Sequence, residues 1–257
     1  MKIFAVSNQK GGVGKTTTTV NLASALAAKK QKVLLIDLDP QGNATSASGI
    51  LKKEIKQTIY DVLIQKINLS SAILKPNDEN FDVVAANQAL AGAEVELVDF
   101  DKREFILKNE INKLNGYDYI LIDCPPALSL LTVNALVAAH SVIIPMQCEY
   151  FALEGLSDLV DTIKRVKRHL NPNIEIEGLL RTLFDKRNTL TKQVSDQLAA
   201  HFGSKVYKTI IPRNVRLAEA PSHGMPILMY DRSSRGAVAY LKLAEEIIQK
   251  EMRKSHG

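Results

Sequence analysis

A glycine-rich loop near the start of the chain limits the possible folds more than any other feature of the sequence. The apolar run Ile3–Ser7 predicts a strand, and Thr16–Lys29 has the periodicity of a helix. Between them lies the segment Lys10-Gly11-Gly12-Val13-Gly14-Lys15-Thr16-Thr17. Glycines let the backbone curl so that successive N–H groups point at one oxygen cluster, and the helix N-terminus adds partial positive charge. A strand, such a loop and a helix in this order predict a phosphate-binding site.

Short apolar runs alternate with helical segments along the rest of the chain. Continuous apolar strands separated by helices indicate a parallel sheet that is covered on both faces. The sequence therefore predicts an α/β fold with a doubly wound, mostly parallel sheet, built as a single domain over residues 1–257. Residues 41–80 show no clear pattern and are expected to form a surface excursion. The predicted strands are Ile3–Ser7, Val33–Asp37, Phe81–Ala85, Tyr119–Ile122, Val142–Pro145, Ile176–Leu180 and Val206–Ile211, and the predicted helices are Thr16–Lys29, Phe105–Leu114, Leu130–Ala139, Leu153–Leu170, Leu190–Phe202 and Gly236–Arg253.

Three carboxylates stand at the ends of two predicted strands. Asp37 and Asp39 end one apolar run, and Asp123 ends another. Ligands of doubly wound sheets bind beyond the carboxyl ends of the strands, and a buried acid needs a cation, a partner or water there. In the phosphate-loop pattern, Lys15 reaches the β- and γ-phosphates and the Thr16 hydroxyl ligates Mg²⁺. The acids could instead cap helices or bond loop amides, and this alternative is most open for Asp37.

The loop departs from the usual phosphate-loop pattern at one position. Gln9 stands where the first glycine falls, and Lys10 opens the loop instead. This form resembles the deviant Walker A motif of the ParA/MinD superfamily. Further segments narrow the resemblance to ParA/Soj-type chromosome-partitioning ATPases over essentially the whole chain. Those segments are Asp37–Ser46, Asp123–Pro126, Gln147–Gly155 and Ile211–Gly224.

The resemblance implies a P-loop NTPase fold and a weak, partner-stimulated ATP hydrolase with ATP and Mg²⁺ as cofactors. ATP binding would assemble a sandwich homodimer in which Lys10 reaches the phosphates bound by the partner. Lys10, Lys15 and Asp39 are then the expected catalytic residues, and Asp123 would hold the Mg²⁺ through water beside Thr16. The expected nucleotide-binding residues are Lys10, Gly11, Gly12, Val13, Gly14, Lys15, Thr16, Thr17, Pro212 and Asn214, of which Pro212 and Asn214 would lie against the adenine.

The resemblance also implies two macromolecular partners. The ATP-bound dimer would bind double-stranded DNA without sequence preference, and a ParB-like protein would stimulate the hydrolysis that releases it. Arg187 and Arg216 match positions tied to DNA in the family, and a net charge of +5 is compatible with a polyanion partner. We expect a cytoplasmic, nucleoid-associated protein, since no signal peptide or membrane-spanning run is visible.

Two other functions remain open. A MinD-like membrane-associated division regulator would end in an amphipathic helix with a basic polar side, whereas Gly236–Arg253 mixes acids and bases and favours core packing. A metabolic P-loop enzyme that acts on a small carboxylate would need a substrate pocket, and no set of residues suggests one. Cys124 and Cys148 lack the paired spacing of a metal site and are expected to be buried, reduced thiols.

Overall fold

Strands and helices alternate along the residues that the structure, a computed structural model, describes: 1–76, 81–150 and 152–255. The strands are β1 (Lys2–Val6), β2 (Val33–Asp37), β3 (Ile73–Leu74), β4 (Asp82–Val84), β5 (Tyr119–Asp123), β6 (Ser141–Gln147), β7 (Glu175–Phe184) and β8 (Val206–Pro212). The helices are α1 (Lys15–Ala28), α2 (Asn43–Ala47), α3 (Ile59–Leu63), α4 (Leu90–Glu96), α5 (Ile106–Ile111), α6 (Leu130–Ala138), α7 (Ala152–His169), α8 (Thr189–Phe202), α9 (Val215–Glu219), α10 (Ile227–Tyr230) and α11 (Arg235–Ser255).

All eight strands belong to one sheet with the order β3-β4-β2-β5-β1-β6-β7-β8. Only β3 runs antiparallel to its neighbour, and the remaining neighbours are parallel. In the middle of the sheet, Asp123 is in register with Val6 on one side and with Asp37 on the other. The phosphate loop and both predicted acidic strand ends therefore meet at one edge of the sheet.

The two faces of the sheet are covered by different helices, as doubly wound folds require. Phe4 and Val6 of β1 point into a core formed with α1 and α11, whereas Ile3 and Ala5 point into the opposite core. That second core contains buried residues of α3 to α8. The alternation of neighbouring β1 residues between two apolar clusters explains why the strand sequence is apolar at every position. The predicted α/β fold is confirmed.

The described part of the segment 41–80 is not a surface excursion. Ile59, Val62, Leu63 and Leu69 are fully buried, so residues 41–76 complete the core on one face of the sheet. The segment escaped recognition because its helices are too short to show a 3.6-residue period: α3 has five residues and begins at a capping box between Thr58 and Asp61. Residues 77–80 lie outside the described chain.

The last helix packs into the core, as its mixed charges predict. Leu243, Ala244 and Ile247 are fully buried, and α11 lies against α1 and β8. Its distal end is tied to β7 by Glu177, which is buried and paired with Lys250 at 2.7 Å and with a second α11 lysine at 3.2 Å. Burial alone would raise the pKa of Glu177, but these lysines outweigh it and lower the pKa to about 2.

Candidate functional site

The phosphate loop leaves β1 and enters α1 through two glycines in the left-handed region. Gly12 has a φ of 73° and Gly14, which precedes the helix, has a φ of 85°. Side chains larger than hydrogen are strained in this conformation, so the curl depends on glycine here. The loop is also fixed to the sheet, because the Thr182 hydroxyl of β7 donates a 2.7 Å hydrogen bond to the carbonyl of Val13.

The two loop lysines have different surroundings. Lys15 is buried, and its Nζ donates a 3.2 Å hydrogen bond to the carbonyl of Lys10. Burial lowers the pKa of Lys15, while the nearby charge of Asp123 acts in the opposite direction. Lys10 is exposed, and its Nζ pairs with Glu149 at 2.6 Å. Lys15 therefore faces the interior of the loop, whereas Lys10 is held at its rim by a carboxylate from the end of β6.

Asp123 lies completely buried beneath the loop. It accepts two 2.8 Å hydrogen bonds, one from the hydroxyl of Thr16 and one from the hydroxyl of Thr19. Burial and the neighbouring charge of Asp37 raise its pKa to about 8, against the lowering effect of the two hydroxyls. Lys15 interacts favourably with this buried carboxylate, and a divalent cation would supply further positive charge. The donor set of hydroxyl and carboxylate oxygens is the one that Mg²⁺ prefers.

Asp37 holds both ends of the loop that carries Asp39. Its Oδ1 accepts the amide of Asp39 at 3.1 Å, and its Oδ2 accepts the amide and the hydroxyl of Thr45 at 2.8 and 2.7 Å. The Thr45 hydroxyl in turn accepts the amide of Ala86 at 2.9 Å. Burial raises the pKa of Asp37 to about 6, and the bonds from Thr45 oppose the shift. Asp37 thus accepts hydrogen bonds from backbone amides of the loop, which is the structural role that the sequence left open for it.

The loop and Asp39 line one cleft of about 630 Å³, whereas Asp37 and Asp123 are buried and do not belong to its lining. A triphosphate would find backbone amides and Lys15 on one wall, and Asp39 faces it from the other. Beyond the phosphate loop, the lining includes residues that follow β2 and β5 and residues of α4 and α6. The lining includes Gly11, Gly12, Gly14, Lys15, Thr16, Thr17, Asp39, Pro125 and Pro126. The cleft therefore brings together most of the predicted phosphate and metal residues.

Pro212 and Asn214 are placed away from this cleft. Pro212 ends β8 and lines a separate groove with Phe184 and Arg235. Asn214 caps α9, where its side chain accepts the amide of Leu217 at 3.2 Å. Neither residue belongs to the lining of the phosphate-loop cleft, so their contact with an adenine stays a prediction.

The two arginines predicted to bind DNA are both exposed and both paired with carboxylates. Arg187 forms two bonds to Asp185, at 2.8 and 3.0 Å. Arg216 pairs with Glu219 at 3.0 Å and lies 3.7 Å from Asp231. Each would have to exchange a partner within the chain for a phosphate, so the geometry does not decide between a DNA contact and a surface ion pair.

Three residues of the site were not predicted from the sequence. Thr19 shares Asp123 with Thr16, and a signal for it exists, because residues three apart on α1 share a face. Thr45 and Glu149 had weaker signals: each lies in a segment that carries the family resemblance, but their bonding partners are set only by the packing. Both act on predicted residues, Thr45 through Asp37 and Glu149 through Lys10.

Other site classes find no support in residues 1–76, 81–150 and 152–255. They contain no cluster of three or more His, Cys, Asp or Glu side chains able to hold a metal ion. Cys124 and Cys148 are buried and free, as predicted, and burial raises the pKa of both thiols. None of the helices described for this chain is both long enough and apolar enough to cross a bilayer.

Comparison with known proteins places this geometry among nucleotide-dependent enzymes. A family model described as an AAA domain matches residues 1–176. The sporulation initiation inhibitor protein Soj of Bacillus subtilis is 55% identical over 247 residues, which are 96% of this chain and 98% of Soj. The chromosome partitioning protein ParA of Caulobacter vibrioides is 50% identical over 254 residues, which are 98% of this chain and 95% of ParA. The crystal structure of cobyrinic acid a,c-diamide synthase from Mycobacterium smegmatis with bound ADP and magnesium is 37% identical with a TM-score of 0.85, covering 97% of this chain and 94% of that one.

Proposed function

Because the chain belongs to the ParA/Soj family of chromosome-partitioning ATPases, we propose that it is an ATP-driven switch for DNA partitioning. In this proposal, Mg-ATP binding assembles a homodimer that binds double-stranded DNA without sequence preference. A ParB-like partner stimulates the otherwise weak hydrolysis, which releases the protein from DNA. The protein is then nucleoid-associated in the cytoplasm, and repeated cycles separate chromosome or plasmid DNA.

The observation that carries the nucleotide part is the bond between Thr16 and Asp123 at the mouth of the phosphate loop. A magnesium ion would be held there by the Thr16 hydroxyl directly and by Asp123 through water, the arrangement that phosphate-loop ATPases use. When bound, the ion neutralises charge that develops on the phosphates. The buried acid and the threonine hydroxyl are already in contact in this chain, at 2.8 Å.

The remaining side chains of the site can position the reacting groups. Lys15, on the inner side of the loop, would contact the β- and γ-phosphates. Asp39 accepts the Gln41 amide at 2.9 Å through Oδ1, and its Oδ2 has no hydrogen bond to any of the described residues. That free oxygen can accept a hydrogen bond from the attacking water, and the clamp formed by Asp37 keeps the loop in place. Positioning of this kind supplies most of the catalysis in phosphoryl transfer.

Lys10 supports the dimer part of the proposal. Its ammonium group is exposed and pairs with Glu149 at 2.6 Å. In a face-to-face dimer, Lys10 would exchange this carboxylate for phosphate oxygens bound by the partner. An exposed ion pair contributes about 0–1 kcal/mol, so the exchange costs little. A second cation near the leaving oxygens would stabilise the transition state.

The two rival functions have less support. A membrane-binding terminal helix is disfavoured because the apolar side of α11 is buried against α1 and β8 rather than free to enter a bilayer. A synthase activity has one supporting observation, the solved structure of cobyrinic acid a,c-diamide synthase at 37% identity. The partitioning proteins are more similar to this chain, at 55% and 50%, and we therefore favour partitioning.

The proposal is tested by measuring oligomeric state and DNA retention together, with ATP, ADP or no nucleotide. We expect dimers and retained DNA only with ATP, in the presence of Mg²⁺. Lys15→Ala should abolish nucleotide binding, whereas Lys10→Ala should still bind nucleotide but fail to dimerise. Lys53→Ala, a change of an exposed lysine that does not line the cleft, is the matched control. DNA retention that is equal in all three nucleotide states would contradict the switch.

A further inference from the structure

A groove of about 440 Å³ lies between β8 and α11, apart from the phosphate-loop cleft. Its floor is apolar and its rim is basic. No residue is shared between its lining and that of the phosphate-loop cleft. The lining includes four cationic side chains, Lys186, Lys208, Arg235 and Lys242, and the apolar Val238.

The four cations of this groove have no carboxylate partner among the described residues. Lys186, Lys208, Arg235 and Lys242 are all exposed, and none forms an ion pair with a residue in the described ranges. The arginines singled out in the sequence differ in this respect, because each already pairs with an acid. Four unpaired cations around one groove repel each other, and a bound polyanion would remove that repulsion.

Three carboxylates that adjoin lining residues of the groove in sequence or by hydrogen bonds are each bonded to another group. Glu246 accepts the backbone amides of Lys208 and Thr209 at 2.7 and 2.9 Å. Asp231 accepts the amide and hydroxyl of Ser233, and Asp185 is bonded to an arginine. These acids reduce the positive potential of the groove, but hydrogen bonding holds each of them to another group. The cationic side chains remain available to a ligand.

The start of α11 adds to the positive potential. Arg235 is the first residue of this helix, whose first turn contains no acid. A cation at a helix N-terminus opposes the helix dipole and is unfavourable unless an anion lies nearby. Lys242 follows two turns later on the same face, about 10.5 Å along the axis. With this spacing of their backbone positions, the two side chains can contact different phosphates of an extended polyanion.

We propose that this groove, defined by Lys186, Lys208, Arg235 and Lys242, binds backbone phosphates of double-stranded DNA. The inference rests on the proposed function, since it names the surface that the DNA-bound state would use. Spaced, flexible ammonium groups without a hydrogen-bonding carboxylate suit contact with phosphates and give no base specificity. The groove thus supplies contacts in addition to Arg187 and Arg216.

The test is the double variant Lys208→Glu/Lys242→Glu, compared with Lys53→Glu/Lys56→Glu. Both variants change the net charge by the same amount, and the control lysines are exposed, outside the groove and without an ion pair to a described residue. DNA affinity is measured by fluorescence anisotropy on two unrelated duplexes, with ATP, at several salt concentrations. Each phosphate contact contributes about 0.9 to the slope of log K against log salt. Loss of two contacts per protomer should therefore reduce the slope by about 1.8, and weaken binding about 60-fold at 0.1 M salt, for each protomer of the dimer that contacts the DNA.

The outcomes separate this inference from the proposed function. If wild type binds neither duplex with ATP, the proposed function fails. If wild type binds but the groove variant matches the Lys53/Lys56 control, the groove inference alone fails. Binding of a fluorescent ATP analogue should be unchanged in the groove variant, and its loss would assign the groove to the nucleotide instead. The variant Lys208→Arg/Lys242→Arg keeps both positive charges and should bind DNA with the affinity of wild type. If the protein sediments with anionic vesicles but does not bind DNA, the groove binds lipid instead.

Discussion

Replacing Thr45 by valine should loosen the loop that carries Asp39. The Thr45 hydroxyl bridges two buried groups: it donates to Asp37 at 2.7 Å and accepts the Ala86 amide at 2.9 Å. Thr45, Asp37 and Ala86 are all fully buried. Valine has nearly the same shape but no hydroxyl, so the substitution removes both hydrogen bonds without creating a large cavity.

The magnitude follows from the two lost bonds. A hydrogen bond to a charged group contributes about 1.5–3 kcal/mol, and a buried N–H left without a partner costs about 1–3 kcal/mol. We therefore expect the free energy of unfolding to fall by about 3–5 kcal/mol at neutral pH. That is a large part of the stability of an ordinary domain.

The loss should also depend on pH. Burial raises the pKa of Asp37 from 3.8 to about 6, and the Thr45 hydroxyl opposes that rise. Between these values the folded chain binds the additional proton, so stability from this group is present below pH 3.8 and is lost as pH rises through about 6. Without the Thr45 hydroxyl the pKa rises further. The difference between Thr45→Val and wild type should therefore grow as pH increases from 4.5 to 7.5.

The assay is urea unfolding followed by circular dichroism at both pH values, without nucleotide and with a chelator. Thr45→Ser keeps the hydroxyl and is the matched control, expected to lose far less stability. A loss below about 1 kcal/mol for Thr45→Val at pH 7.5, or a difference that shrinks as pH rises, would mean that the bridging hydroxyl does not stabilise ionised Asp37.

Two further predictions concern β7. Gly178→Ala would place a Cβ 2.6 Å from the buried ring of Tyr207, so we expect the free energy of unfolding, measured with heat or urea, to fall by about 1–3 kcal/mol. Gly155→Ala is the control: no heavy atom lies within 4 Å of the added Cβ, so this change should be neutral or slightly stabilising. Equal effects of the two changes would contradict this packing. Glu177→Gln should remove stability that is present above pH 4.5 and lost as pH falls towards about 2, because two α11 lysines lower the pKa of Glu177. Its unfolding curve should approach that of wild type near pH 2, and an unchanged gap at low pH would refute the pairing.

The phosphate loop could be predicted from the sequence because its determinants are contiguous. Gly12, Gly14 and Lys15 lie within four residues, and the strand and helix that flank them are strongly patterned. The acids at strand ends could be predicted for the same reason. The rule that ligands bind beyond the carboxyl ends of parallel strands placed these acids near the loop, but the register of Asp37 with Asp123 depends on β2 lying beside β5.

What could not be predicted depends on which strands become neighbours. The bond from Lys10 to Glu149 joins residues 139 positions apart, and no local pattern encodes such a pairing. For Thr19, which lies 104 positions from Asp123, the only local signal is the helix face that it shares with Thr16. The groove between β8 and α11 has the same origin, since its cations come from separate elements. Short helices such as α3 were missed because five residues cover little more than one helical turn.

The order of the strands has a consequence for how the protein is made. The phosphate loop leaves the ribosome early, but Asp123 lies 107 residues after Thr16 and sits on the strand directly beside β1. At a synthesis rate of about 5–20 residues per second, the loop waits roughly 5–20 seconds for its acidic partner. During that interval the nascent chain contains the phosphate loop and its backbone amides but not Asp123, the carboxylate that lies beneath the loop in the folded protein. The cleft proposed to bind the nucleotide is therefore complete only after β5 has been synthesised.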